Sequence, residues 1–150
     1  MIRLAEENDL EGVLHLYKEL RPYDPDIQLG LARRHWVEMM DDPHCLIIVA
    51  IIDNQVVSSC SLTLNRSIAN GAKPFAIIEH VITLNNFRRR GLSRQVLNYA
   101  IETAWNHDCA KIMLLSGEQL VGAHNLYKSV GFLDNVERGF VLKPTDKLAN

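Results

Sequence analysis

Three consecutive arginines, Arg88, Arg89 and Arg90, stand directly before Gly91 in "NNFRRRGLSRQVL", and a fourth, Arg94, follows three residues later. This composition suits an anion. Guanidinium groups grip phosphate oxygens through charge-assisted, often bidentate hydrogen bonds, and Gly91 leaves the backbone bare for close approach. Helical spacing begins at Leu92, so the stretch from Leu92 through Ser93 to Arg94 opens a helix. Its first amides lack intrahelical acceptors and its dipole is positive at that end. A pyrophosphate fits such a junction. The loop is neither the phosphate loop G-x-x-x-x-G-K-[ST] nor the dinucleotide fingerprint G-x-G-x-x-G, so it serves another phosphate ligand. An isolated "RRRG" also has the composition of a solvated turn, and its flanks must decide between the two.

Those flanks read as a strand before the loop and a helix after it. "CLIIVAII" (45–52), "VVSSCSLTL" (56–64) and "FAIIEHVITL" (75–84) are rich in β-branched residues and bounded by turn residues. They predict three strands, the first two joined as a hairpin across "DNQ". From Leu92, apolar residues recur at Val96, Leu97, Ala100, Ile101, Ala104 and Trp105, which predicts a helix laid on that sheet. Upstream, "IRLA" suits a first strand. Asn8 with Glu11 forms a capping-box pattern ahead of a helix whose apolar face is Leu10, Val13, Leu14, Tyr17 and Leu20. Leu29, Arg33, Trp36, Val37 and Met40 mark a second helix, ended by Pro43. Downstream, "KIMLLS" predicts a strand, "VGAHNLYKSV" a short helix, and "GF" followed by "RGFVLK" a final strand or pair. The fold class is α/β (α+β): a central mixed, mostly antiparallel sheet flanked by about four helices on both faces.

At 150 residues, 47% hydrophobic and 23% charged, the chain is expected to form one domain spanning 1–150. The net charge of −2 supplies no overall positive field for nucleic acid or an anionic membrane surface, so any basic site is local. Cys45, Cys60 and Cys109 are odd in number and set in apolar sequence, which reads as reduced thiols and a cytoplasmic protein. The opening "MIRLAEENDLEG" has acids where a signal peptide needs an apolar core, and "CLIIVAII" is too short to span a bilayer. No metal-ligand motif is evident. "NRS" at Asn65 is a coincidental glycosylation pattern in such a chain.

"IIEHVITLNNFRRRGLSRQVL", "CAKIMLLSG" and "AHNLYKSVGF" together resemble the GNAT superfamily of acetyl-CoA-dependent N-acetyltransferases, over roughly residues 75 to 133. The family loop pattern R/Q-x-x-G-x-G/A reads here Arg88, Arg89, Arg90, Gly91, Leu92, Ser93, with serine in place of the small final residue. A second departure is Leu120, where many members carry asparagine seven places before the tyrosine. The resemblance implies that acetyl-CoA is the co-substrate and that its diphosphate sits on residues 88–94. It also implies that the strand before the loop splays at a bulge, so that the backbone of Val81, Ile82 and Thr83 binds the pantetheine arm and polarises the thioester carbonyl.

Tyr127 matches the family's general acid; its phenol can protonate a departing thiolate, whose ordinary pKa is about 8.5. The amine must also lose a proton, and Glu79 is the candidate base, with burial in an apolar strand expected to raise its pKa. A role for Glu79 as a ligand for the substrate cation is an equal alternative. His80 is a weaker base candidate, since strand alternation points it away from Glu79, and His124 reads as a solvent-facing helix histidine. The acceptor is expected to be a small-molecule primary amine. The alternatives are a catalytically silent acyl-CoA-binding sensor and a protein N-acetyltransferase. Asp24 and Asp26 suit a cationic amine or simply a turn. Pairing through Val136 to Leu142 would make a homodimer.

Overall fold

Asp53 and Asn54 both take left-handed φ angles, 49° and 63°, which fold β2 (Cys45–Ile52) tightly back on β3 (Gln55–Asn65). In the computed structural model, which describes residues 1–145, that hairpin is the centre of a five-stranded sheet ordered β1-β2-β3-β4-β5. β1 is Ile2–Leu4, β4 is Phe75–Thr83 and β5 is Ile112–Leu114. Every neighbouring pair is antiparallel except β4 with β5. A parallel pair needs a crossover, and α4 (Leu92–Asn106) supplies it. The described chain separates into two units, Met1–Leu114, which contains the whole described sheet, and a second that begins at Leu115.

Consecutive residues of β2 (Ile47 to Ala50) and β3 (Val56 to Cys60) are buried without alternation, so both faces of the central strands are covered. α1 (Leu10–Leu20) packs on β3 and β4, α2 (Leu29–Asp41) on β2, and α4 across β2, β3 and β4. α4 buries Leu92, Val96, Leu97, Ala100 and Ala104, as its spacing predicts, but Trp105 is left exposed. In α1 the buried residues are Leu10, Val13 and Leu16. Gly12 faces β3 so closely that a Cβ there would stand 2.7 Å from Val56 Cγ2.

The expected Asn8–Glu11 cap does not form. Residues Glu7–Asp9 instead make a 3-10 turn ahead of α1. Buried Asp9 accepts from the Glu6 amide at 2.7 Å and from both terminal nitrogens of Arg3, at 2.6 and 3.2 Å. A charged bidentate partner holds that turn more firmly than a neutral asparagine would. α2 is capped by the Gln28 side chain, which accepts from the Leu31 amide at 3.1 Å, and it buries Ala32 and Trp36. Between β3 and β4, the turn Ala69–Ala72 (α3) carries left-handed Asn70 and Gly71.

The second unit holds α5 (Val121–Ser129), as "VGAHNLYKSV" predicts. The expected final strand is absent among the described residues: 131–145 contain no strand, and Phe140, Val141 and Leu142 are exposed. β-branched and aromatic composition makes a strand only where a neighbouring strand is there to pair with it, and the described sheet ends at β5.

Candidate active site

The chemistry-bearing end of β4 is built around a bulge. Ser59 pairs with Ile82 and Ser61 with Glu79, so one β3 residue, Cys60, lies opposite two β4 residues, His80 and Val81. His80 takes a left-handed φ of 52°, a conformation that a non-glycine residue adopts only at a cost of roughly 1–2 kcal/mol. The extra residue breaks the alternation expected of the strand. His80 is therefore not turned away from Glu79: both side chains are exposed, and Nε2 lies 4.0 Å from Glu79 Oε2. Glu79 is not buried as its apolar flanks suggest; its side chain is 64% exposed.

A residue that the sequence did not single out for chemistry, Tyr17 of α1, lays its ring against His80, the centroids 5.2 Å apart at 59°. Burial, with smaller contributions from Cys60, Cys45 and Glu79, pushes its phenol above the ordinary tyrosine range. It stays protonated. Asp24 and Asp26, candidates for an amine cation, are already ion-paired, with Arg21 at 2.6 Å and Lys18 at 2.8 Å.

β4 runs through Leu84 into a 3-10 turn, Asn85–Phe87, and then the arginine loop. The Asn85 amide donates to Glu19 Oε1 of α1 at 3.2 Å. Arg88 Nε donates to the Thr83 carbonyl at 3.1 Å, tying the loop back to the strand end. The Arg90 guanidinium lies over the Phe87 ring, 5.0 Å from its centroid, and reaches Asn86 O at 3.4 Å. Two of the three consecutive arginines thus brace the bend, and all three are exposed. Arg89 and Gly91 have φ of 63° and 77°, so the chain turns through two left-handed residues to enter α4. The first α4 amide with a backbone acceptor belongs to Gln95, which donates to Gly91 O at 3.1 Å. The Leu92 and Ser93 amides precede it, at the positive end of the helix.

Beneath this loop runs a chain of three hydroxyls. Ser93 Oγ lies 2.6 Å from Thr83 Oγ1, which lies 2.7 Å from Ser58 Oγ, which donates to Ile82 O at 3.0 Å. A carbonyl only accepts and each hydroxyl has one proton, so the direction is fixed: Ser93 donates to Thr83, and Thr83 to Ser58. Ser93 therefore spends its hydroxyl proton inward and leaves its amide for an anion. Adjacent Ser59, fully buried opposite Ile82, has an Oγ with no hydrogen-bond partner.

Within the first unit the structure thus brings together Glu79, His80, the backbone of Val81, Ile82 and Thr83, and the loop from Arg88 to Arg94. Tyr127 belongs to the second unit. There it is half-buried on α5 and meets Phe132 edge-on, ring centroids 6.3 Å apart. The Phe132 amide donates to the Tyr127 carbonyl at 3.0 Å. His124 is half-buried rather than solvent-facing, its Nε2 2.8 Å from Gly117 O. Leu120 stands at the N-terminal boundary of α5.

The sequence pattern of the acetyltransferase (GNAT) family matches residues 10–132. A curated relative, aminoglycoside N(6')-acetyltransferase type 1 of Salmonella enteritidis, is 23% identical over 133 residues, covering 87% of this chain and 90% of that protein. A "putative acetyltransferase" of Agrobacterium tumefaciens is 36% identical and superposes with a TM-score of 0.90, covering 95% of this chain and 99% of that one. The aminoglycoside N-acetyltransferase AAC(6')-Iy, solved with a bisubstrate analogue of CoA and acetylneamine, has the same fold at 21% identity, TM-score 0.79, with 95% and 97% covered. With the family pattern matching most of its length, and a bulged strand leading into an arginine-lined helix start, this chain is a member of the acetyltransferase (GNAT) family.

Proposed function

We propose that the protein transfers the acetyl group of acetyl-CoA to a primary amine of a small-molecule acceptor by direct attack in a ternary complex. The observation that carries this reading is the run of β4 from its bulge directly into the arginine-lined N-terminus of α4. The Leu92 and Ser93 amides, with Arg89 and Arg94, meet the diphosphate, while Arg88 and Arg90 hold the bend in shape. Gly91 adopts the left-handed turn, and nothing lies within 4 Å of where its Cβ would be, so the approach is open. The bulge leaves backbone at Val81 to Thr83 for the pantetheine arm and for a donor to the developing oxyanion. Glu79 meets the amine, as base or as ligand of its cation, and Tyr127 returns a proton to the thiolate.

Support for an amine acceptor comes from relatives named as aminoglycoside N-acetyltransferases. Three free cysteines suit a reducing, cytoplasmic setting. Exposed Val136, Phe140, Val141 and Leu142 offer a surface on which a second copy would pair.

The test is thiol release from acetyl-CoA in the presence of an amine panel, with acetylated products identified by mass. Amine-dependent free CoA is expected, and Tyr127→Phe should slow it by about 10²-fold or more, the usual weight of a general acid. A protein whose melting temperature rises with acetyl-CoA but which acetylates no amine would be a sensor instead.

A further inference from the structure

The β4 bulge places an imidazole and a carboxylate from adjacent residues on one exposed surface, which regular strand alternation forbids. Their closest atoms, His80 Nε2 and Glu79 Oε2, are 4.0 Å apart. That is too far for a hydrogen bond between them and right for one shared donor: an atom about 2.9 Å from each spans the gap. The imidazole has a fixed neighbour, since the Tyr17 ring packs on it at 5.2 Å, and that ring is held by α1 on the sheet. Glu79 is steadied through its backbone, with Ser61 Oγ donating to its carbonyl at 3.1 Å. A strained left-handed backbone retained at such a point is a familiar mark of a working site.

We infer that His80 is a catalytic residue of this acetyl transfer: the acceptor's ammonium bridges Glu79 Oε2 and His80 Nε2, the carboxylate holds the cation, and the imidazole takes its proton. The inference rests on the acetyltransferase reading above; it gives the base role to His80, the weaker of the two candidates in the sequence, and leaves Glu79 its alternative role as ligand of the cation. The nitrogen sheds two protons in all. The first passes to Nε2 and on to solvent along the exposed ring edge, freeing the lone pair that forms the C–N bond to the thioester carbon. The second leaves as the C–S bond breaks, and the sulfur takes up one proton to become the thiol.

The left-handed φ gives a clean experiment, because glycine and asparagine both tolerate it and keep the bulge. In the thiol-release assay with the best amine of the panel, His80→Gly and His80→Asn are each expected to lower kcat about 100-fold or more, with KM for acetyl-CoA within about twofold of wild type. Free imidazole should restore part of the lost kcat in His80→Gly, whose missing ring leaves it room, while the similarly shaped but non-basic pyrrole should not. Glu79→Gln should instead act mainly by raising KM for the amine. Either His80 variant keeping kcat within about threefold, or a His80→Gly defect that imidazole does not relieve, overturns the assignment. If wild type acetylates no amine, the acetyltransferase reading itself fails and this inference with it; a working wild type beside a working His80→Gly sinks the inference alone.

Discussion

At the scale of single residues, the Arg3–Asp9 pair shows how charge fixes local structure. Burial pushes the Asp9 carboxyl up, but the Arg3 guanidinium and the Glu6 amide together outweigh it and hold the pKa below the usual aspartate value. A group depressed in the folded state contributes stability above its unfolded pKa, about 3.9, and loses it as pH falls through the lower folded value. Asp9→Asn should therefore cost about 1–3 kcal/mol at pH 7, because the part-buried guanidinium loses its bidentate carboxylate and keeps only the Leu4 carbonyl and the more distant Glu6. The deficit should shrink as pH drops below about 4, where wild type loses the same contribution. Urea melts of both proteins from pH 7 to pH 2.5 would measure it, and parallel curves throughout would refute it. The same scale shows what residue types conceal: Glu79 lies in an apolar run, yet its side chain is mostly exposed, because the surrounding geometry sets burial.

At the scale of elements, the arginine loop is held in place as much by hydroxyls beneath it as by its own charges. The chain Ser93–Thr83–Ser58 joins the first turn of α4 to the end of β4 and to β3. Thr83→Val keeps shape and volume but removes the central link. A hydrogen bond of about 1 kcal/mol net corresponds to a several-fold change in affinity. Under the proposed function, KM for acetyl-CoA should rise roughly three- to tenfold with kcat little changed, and Thr83→Ser should restore it. A Thr83→Val enzyme with wild-type KM would show that the loop needs no such anchor. The strands, the long helix and the strand-loop-helix junction were all legible from periodicity and composition. The bulge was expected from family resemblance alone, since an inserted ladder residue leaves no signature in a period-2 pattern and His80 carries no glycine to mark its left-handed backbone.

At the scale of the whole molecule, the core of the first unit decides how its thiols behave. Cys60 is fully buried among β3, β4 and α4, its Sγ 3.6 Å from the Val96 carbonyl, and burial pushes its pKa up to about 12. Since the thiolate is the nucleophile, such a shift cuts its reactive fraction roughly a thousandfold at pH 8. Cys45, only half-buried, should be alkylated first in the native protein, and Cys60 only on global unfolding in urea, as read by mass mapping of labelled peptides. Labelling of Cys60 at the rate of Cys45 would mean that the sheet opens locally.

What the sequence determined by itself was the order and kind of most elements and the place of the arginine-lined strand-helix junction, because hydrophobic period, turn residues and a charge run are local properties of the chain. The tertiary structure decided which side chains meet. It set His80 beside Glu79 and under Tyr17, and spent Arg88 and Arg90 on bracing the bend. It linked Ser58, Thr83 and Ser93, and left "RGFVLK" outside the described sheet. Each depends on pairing register and on packing between segments distant in sequence, and no local pattern encodes either.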